Sequence, residues 1–161
     1  MSNTKATEVP RSQFAQDLYD DLQALPSSSR LTDEQLEVIY ALAYAHVMQE
    51  QYAQALPLFS ILAVYGPTRR HYLAGLAVCL EMCGRYEEAI LMYSLLTTLF
   101  PGSLEPSMQV AECQLMLGQF SDALQELDRV LACIAESQGR FDAFQPRAQL
   151  LRDLAEKQAG L

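Results

Sequence analysis

The chain has 161 residues, half of them apolar and 19% charged, which is long enough for one domain with its own hydrophobic core. Its net charge of −9 disfavours contact with phosphate backbones and anionic lipid, so neither nucleic acid nor a membrane is an expected partner. No segment reaches the roughly 18–20 consecutive apolar residues of a transmembrane helix, and the polar N-terminus lacks the apolar segment of a signal peptide. We therefore expect a cytoplasmic protein.

The first predicted elements are a flexible polar tail at residues 1–10 and an amphipathic helix at about residues 12–25. Helical spacing places four apolar side chains on one stripe of this helix, namely Phe14, Leu18, Leu22 and Leu25. A proline followed by three serines at residues 26–29 then interrupts the helical pattern. Residues 11–30 are accordingly predicted to form an N-terminal helix and a linker.

The centre of the chain carries an internal repeat of 34 residues. An aromatic residue begins the second helix of each repeat and an alanine follows three residues later, giving Tyr52 and Ala55, Tyr86 and Ala89, and Phe120 and Ala123. The first helix of each repeat carries a further alanine, at Ala43, Ala77 and Ala111. Gly84 and Gly118 suit the left-handed residue that ends a helix, whereas Pro67 and Pro101 prevent a helix from continuing. The pattern predicts three helix pairs, at about residues 35–68, 69–102 and 103–136.

Helix-boundary signals flank the repeats. Thr32 and Gln35 fit a capping box at the start of the first repeat. Ala135 stands where a proline stops the earlier repeats, so the second helix of the third repeat should run on towards Gly139. A last helix at about residues 142–158 should cover the end of the array with one apolar face, made of Phe144, Ala148, Leu151 and Leu154. Residues 31–161 are predicted to form one domain.

The repeat resembles the tetratricopeptide repeat, in which each copy is a pair of helices and successive pairs stack into a solenoid. This resemblance implies an all-α fold with three helix pairs, an N-terminal helix and a C-terminal capping helix. One residue fits the pattern poorly. Pro57 lies early in the second helix of the first repeat and predicts a kink or a late helix start.

The sequence contains none of the motifs that usually carry catalysis, such as a Gly-rich phosphate loop, a His-Glu-x-x-His pair or a nucleophile elbow. Cys79 and Cys83 are four residues apart, but His46 and His71 supply no recognisable ligand spacing for zinc. We interpret these two cysteines as small buried residues that stay reduced in the cytosol. The protein is therefore predicted to have no catalytic residues, no metal and no cofactor.

The first helices of stacked pairs line the concave side of a solenoid. Projection onto the repeat predicts that its inward-facing residues are Tyr40, Tyr44, Val47, Met48, His71, Ala74, Val78, Met82, Met108, Glu112, Leu115 and Met116. Exposed tyrosines and methionines at these positions favour a groove for an extended apolar peptide. The alternative is that these residues belong to the core, because a shift of one residue exchanges the faces of a helix.

A narrower resemblance rests on three short segments. They are Leu36-Glu37-Val38-Ile39-Tyr40-Ala41-Leu42-Ala43-Tyr44, then Gly84-Arg85-Tyr86-Glu87-Glu88-Ala89-Ile90 with Tyr93-Ser94, and finally Ala111-Glu112-Cys113 followed by Gly118. With three repeats between two further helices in an acidic chain, these segments make the protein similar to the class II chaperones of bacterial type III secretion, the translocator chaperones of the SycD/LcrH type. The resemblance implies a bacterial cytoplasmic chaperone that holds an extended segment of a hydrophobic secreted translocator in its concave groove.

The same resemblance implies roles for individual residues. Tyr40 and Tyr44 match positions where that family places aromatic groove residues, whereas Val47 departs from the aromatic residue often found there. Because the N-terminal helix often mediates dimerisation in that family, a homodimer contact is expected at Phe14, Leu18 and Leu22. The alternative role of these three side chains is packing on the chain's own first repeat.

Two other functions are compatible with the repeat. A chaperone of a needle or filament subunit would hold an amphipathic helix rather than an extended segment. A general tetratricopeptide scaffold protein would bind a partner that has no role in secretion.

Overall fold

The computed structural model describes residues 10–160, so residues 1–9 of the predicted tail lie outside the described residues. Within the described range the chain forms eight α-helices and no strand. The helices are α1 (Gln13–Gln23), α2 (Asp33–Met48), α3 (Tyr52–Tyr65), α4 (Arg70–Met82), α5 (Tyr86–Leu99), α6 (Glu105–Met116), α7 (Phe120–Glu136) and α8 (Gln145–Ala159). Short 3-10 helices at Pro26–Ser29 and Asp142–Phe144 precede α2 and α8.

The three predicted helix pairs are α2 with α3, α4 with α5, and α6 with α7. From α2 to α8, each helix packs chiefly against its neighbours in sequence, as expected of a solenoid. The predicted capping box is present, since the Thr32 hydroxyl accepts from the Gln35 amide and the Gln35 side chain accepts from the Thr32 amide. The all-α architecture predicted from the 34-residue spacing is confirmed.

The turn inside each pair depends on one left-handed residue. Gly84 has a φ of 75° and Gly118 a φ of 71°, as their positions predicted. Glu50 occupies the equivalent place in the first repeat and also adopts a left-handed φ, of 57°. Because a side chain in this conformation costs roughly 1–2 kcal/mol, the first turn is strained where the other two are not.

The core consists of three clusters that follow the helix pairs. The first contains Leu36, Ala43, Ala55, Phe59, Leu62, Tyr72 and Cys79. The second contains Leu73, Ala77, Leu80, Ala89, Tyr93, Leu96, Leu99, Val110 and Cys113. The third contains Leu104, Met108, Ala111, Leu127, Val130, Ile134 and Ala148. All six repeated alanines have no exposed surface, which agrees with their predicted role of letting paired helices approach.

Helix α3 runs from Tyr52 to Tyr65 without interruption at Pro57, so the predicted late helix start is wrong. Proline removes one backbone donor, which leaves the carbonyl of Ala53 without its helical partner. Both residues lie on the exposed side of α3, where water can satisfy that carbonyl. The helix therefore tolerates the proline.

The C-terminal part follows the prediction with one change. Helix α7 has 17 residues against 14 in each of α3 and α5, so it does run on before the turn at Gln138 and Gly139. Ala148 of α8 is buried in the third cluster, but Leu154 is 44% exposed and Ala155 is buried in its place. The apolar face of α8 is thus rotated by one residue at its end.

Helix α1 packs on α5 rather than on the first repeat. Leu18 and Leu22 are half-buried against the second cluster, whereas Phe14 is 72% exposed. The Arg11 Nε donates to the Leu99 carbonyl at 2.5 Å, which fixes the start of α1 to the end of α5. The alternative assignment of these leucines to the first repeat is therefore wrong, because their contacts lie on the second.

Cys79 and Cys113 are buried, whereas Cys83 and Cys133 are exposed. The interpretation of Cys83 as a buried residue is wrong, because α4 ends at Met82 and Cys83 follows it at the surface. Among residues 10–160, no cluster of three or more histidine, cysteine or acidic side chains is arranged to hold a metal ion. In the same range, no helix combines the length and the apolar character that crossing a bilayer requires.

Candidate functional site

The inner face, formed by the first helices α2, α4 and α6, carries an aromatic cluster in its first repeat. The Tyr40 ring lies 4.9 Å from the His71 ring, 5.6 Å from Tyr72, 6.1 Å from Phe59 and 6.0 Å from Tyr44, measured between centroids. Tyr72 and Phe59 are buried, so the partly buried Tyr40 packs against the first core cluster. Tyr44, at 49% exposure, presents its ring to solvent, and His71 is exposed beside the cluster.

A carboxylate organises the polar side of this cluster. The Tyr72 hydroxyl donates to Glu37 Oε1 at 2.8 Å, and His71 Nε2 lies 3.6 Å from the same oxygen. Burial, aided by this hydrogen bond, raises the pKa of Tyr72 to about 12. Burial also raises the pKa of Tyr40. Both phenols therefore stay neutral at physiological pH and keep their hydroxyl protons.

A cavity of about 190 Å³ opens between α4 and α6, with α5 as its floor. Its lining residues are Arg70, Ala74, Val78, Tyr93, Leu96, Glu105, Pro106 and Gln109. Small side chains at Ala74 and Val78 leave the space open, and Tyr93, Leu96 and Pro106 supply further apolar surface. The chemistry suits one apolar side chain of a bound chain, with charged groups at Arg70 and Glu105.

Polar side chains connect the cavity wall to the capping helix. The Tyr93 hydroxyl donates to Glu81 Oε2 at 2.6 Å, and Gln109 Nε2 donates to the same oxygen at 3.2 Å. Arg147 of α8 donates to the Gln109 side-chain oxygen at 2.7 Å. Burial raises the pKa of Tyr93, and its hydrogen bond to Glu81 adds to the effect.

Three methionines continue the inner face at the ends of its helices. Met48, Met82 and Met116 are spaced by 34 residues and are the last residues of α2, α4 and α6. They are 66%, 55% and 64% exposed. Flexible thioether side chains in such a row can adapt to partners of irregular shape.

Two family profiles, each described as tetratricopeptide repeat, match residues 40–103 and 83–145. Together they extend from residue 40 to residue 145, which takes in most of the three helix pairs. The chain belongs to the tetratricopeptide repeat family. No curated protein sequence matches it significantly.

Solved structures similar to this tetratricopeptide repeat protein include translocator chaperones. PcrH from Pseudomonas aeruginosa, in complex with the chaperone binding region of PopD, is 25% identical over 81% of this chain and 97% of that chain, with a TM-score of 0.70. PcrH with the chaperone binding region of PopB is 26% identical over 76% and 98%, with a TM-score of 0.66. SycD from Yersinia enterocolitica, with a peptide of the translocator YopD, is 23% identical over 81% and 99%, with a TM-score of 0.70. The predicted resemblance to this class is confirmed.

The structure separates the predicted groove residues of this tetratricopeptide repeat protein into two groups. Tyr44 and Met82 are exposed, His71 borders the aromatic cluster, and Ala74 and Val78 line the cavity. Five others are partly or wholly withdrawn from solvent. Tyr40, Val47, Glu112 and Leu115 are half-buried, and Met108 is buried. The placement of Met108 in the groove is wrong, because its side chain packs in the third cluster with Ala148 of α8. Gln109 faces the cavity instead.

Sequence reasoning missed several inner-face residues. Glu37 and Glu105 share the repeat position of His71, 34 residues to either side, so the period alone was sufficient to find them. Tyr93 comes from a second helix, which the projection of first helices omitted. Arg147 comes from α8, outside the repeats, and no periodicity predicts its contacts.

Proposed function

We propose that this tetratricopeptide repeat protein is a cytoplasmic bacterial chaperone of type III secretion that holds an extended, apolar segment of a secreted translocator against its inner face. One observation carries the proposal. The chain is similar, at 25–26% identity over nearly their whole length, to PcrH structures whose bound segments are the chaperone binding regions of PopD and PopB. The apolar cavity and the exposed Tyr44 supply suitable contacts for such a segment.

Binding rests on apolar burial at separate points along the inner face. A side chain that enters the cavity between α4 and α6 gains roughly 1.5–3 kcal/mol from burial, and contacts with the ring of Tyr44 and with the methionine row add to this. Ordering the bound segment and losing its free motion offset part of the gain. Several anchors are therefore needed for a stable complex.

The mechanism we propose needs no covalent chemistry and no cofactor. An apolar segment with a tendency to aggregate or to enter a membrane is kept at low free concentration, because the bound state dominates by mass action. Release requires only that a competing receptor bind the segment more tightly. The high net negative charge keeps the complex soluble while the apolar segment is covered.

An array of synthetic peptides that tile the secreted proteins of the source bacterium tests the proposal. The purified chain should bind peptides from a protein with apolar membrane-inserting segments, at sequences that lack a helical apolar period. Binding confined to an amphipathic helical segment of a small filament subunit would favour a filament-subunit chaperone instead. Binding to no peptide of any secreted protein would refute both and would favour a scaffold role.

The matched variants Val78→Asp and Val64→Asp show whether any peptide found in this way uses the inner face. Val78 lines the cavity, whereas Val64 is 55% exposed on α3, a second helix. Each variant replaces one valine by aspartate, so a difference in peptide binding between them reflects the position of the new carboxylate and not its charge.

A further inference from the structure

The capping helix α8 reaches the inner face through one side chain. The Arg147 guanidinium donates to Glu112 Oε1 at 2.9 Å, to Glu105 Oε1 at 3.0 Å and to Gln109 Oε1 at 2.7 Å. These three acceptors are spaced four and three residues apart on α6, so they form one stripe along that helix. A single planar guanidinium therefore joins about two turns of α6 to α8.

The contacts continue from α6 into the floor of the cavity. The amide of Gln109 is engaged at both ends, since its oxygen accepts from Arg147 and its nitrogen donates to Glu81. Glu81 also accepts from Tyr93, whose side chain lines the cavity together with Gln109 and Glu105. The arginine thus determines which way the Gln109 amide points into the wall.

Arg147 also balances charge at the third-repeat end of the inner face. Glu81, Glu105 and Glu112 lie close together there, and two of them bond to this guanidinium. The side chain of Glu112 is 26% exposed and that of Arg147 is 41% exposed, so solvent screens the interaction only in part. Without Arg147, Glu105 in the cavity wall and Glu112 on the same helix would lose the cation that bridges them, and their negative charge would repel acidic residues of a bound chain.

We infer that Arg147 is a positioning residue of the peptide site: it orients the α6 wall of the cavity and suppresses the negative charge that this wall would otherwise show to the client. The inference rests on the proposed function, because it concerns the same inner face. The helix α8 is then part of the binding site and not only a cover for the end of the array.

Arg147→Met tests the inference, with Arg152→Met as its matched control. Arg152 lies on the same helix, but it donates to Asp128 of α7 and to Glu156 of α8, neither of which lines the cavity. Affinity is measured by fluorescence anisotropy with the tightest-binding peptide of the tiling array and with two versions of it, one carrying an added aspartate and one an added lysine. Hydrogen exchange of α6 amides is measured on the same variants without peptide.

Arg147→Met should weaken binding of the parent peptide by about tenfold, weaken the aspartate version further and spare the lysine version, while Arg152→Met leaves all three affinities unchanged. Exchange should increase in α6 with Arg147→Met alone, and Arg147→Lys should restore the charge preference but only part of the affinity. Equal affinities and equal charge preference in the two methionine variants would overturn the inference. If the wild-type chain binds no array peptide, the proposed function fails, and unchanged exchange in α6 would separately overturn the positioning role.

Discussion

Two tyrosines one turn apart on α2 differ in what their removal should do. The Tyr40 ring contacts the buried rings of Tyr72 and Phe59, whereas Tyr44 is 49% exposed and its ring lies beside that of Tyr40. A double alanine substitution would therefore mix a loss of packing with a loss of binding surface. The single variants separate the two effects.

Tyr44→Ala should weaken client binding by about 1–2 kcal/mol and change the free energy of unfolding little, because it removes an exposed ring. Tyr40→Ala should instead destabilise the fold by about 2–3 kcal/mol, since it opens a gap beside the first core cluster. Urea unfolding and peptide titration of both variants check this. A Tyr44→Ala chain that unfolds as easily as Tyr40→Ala would contradict the assignment.

The register of the inner face was predictable for α4 but not for α6. Ala74 and Val78 line the cavity as the repeat pattern indicated, whereas Met108 is buried and its half-buried neighbour Gln109 lines the cavity instead. The difference arises because Ala148 of α8 packs in the same cluster as Met108. The last repeat thus has a neighbour that the 34-residue period does not describe.

The four cysteines should fall into two classes of reactivity, two accessible thiols and two protected thiols. Cys83 and Cys133 are exposed, whereas burial raises the pKa of Cys79 to about 11 and that of Cys113 to about 12. Native protein should therefore label at two thiols with iodoacetamide, and at all four only after unfolding. Mass spectrometry counts the labels. Rapid labelling of Cys79 in the native state would contradict the burial of this thiol.

The same raised pKa values predict how stability depends on pH. In the unfolded chain a thiol loses its proton near its ordinary pKa of about 9, whereas the folded chain holds the proton to higher pH. The unfolded state then binds fewer protons, so the free energy of unfolding should fall as pH rises from about 8 to about 10. Tyr72, with a pKa of about 12, acts in the same direction. Urea unfolding of the Cys83→Ser, Cys133→Ser double variant should keep this decline, because neither replaced thiol is buried.

At the scale of elements, the close approach of α3 and α4 depends on Gly75. A Cβ added at this residue would lie 2.0 Å from Cε1 of the Phe59 ring, a side chain at the centre of the first cluster. Alanine would normally favour a helix interior over glycine by about 1 kcal/mol. Overpacking costs more than that, about 1–3 kcal/mol, so the clash should make Gly75→Ala destabilising overall.

Gly75→Ala should therefore lower the melting temperature, although the substitution raises helix propensity. Ala45→Gly, at an exposed site of α2, serves as the comparison, because its loss of stability should reflect helix propensity alone. Differential scanning calorimetry measures both. A higher melting temperature for Gly75→Ala would show that α3 and α4 can move apart without loss of stability, and would contradict the prediction.

The sequence did not show which part of the molecule α1 packs against. Leu25 of its predicted apolar stripe lies beyond the end of α1 and is 44% exposed, so that part of the prediction is wrong. An apolar stripe also does not show which surface it packs against. Leu18 and Leu22 are used within the chain, on the second core cluster, and Phe14 stays 72% exposed. We propose that any self-association through α1 uses Phe14.

Phe14→Asp should shift the sedimentation of the protein towards the monomer and leave its melting temperature unchanged. Leu18→Asp should lower the melting temperature, because it places a carboxylate against apolar core residues. Sedimentation velocity with thermal unfolding separates these effects. A Phe14→Asp chain that sediments like the wild type would remove α1 from the self-association surface.

At the scale of the whole molecule, the period was sufficient to predict the stack of three pairs. The aromatic, alanine, glycine and proline positions specify helix starts, close helix packing, turns and helix ends, and repetition of these features builds the solenoid. The cavity was only half predictable. Its α4 wall follows from the period, but its floor comes from Tyr93 and Leu96 of α5, and its α6 wall is held by Arg147 of α8.

The central claim is that the cavity between α4 and α6 receives an apolar side chain of the client. The affinity of an array-selected peptide for the Val78→Asp and Val64→Asp chains tests it most directly. We predict that Val78→Asp weakens binding by at least about tenfold, because a carboxylate in an apolar cavity must be desolvated, while Val64→Asp binds like the wild type. Equal affinity of both variants for the peptide would contradict the account.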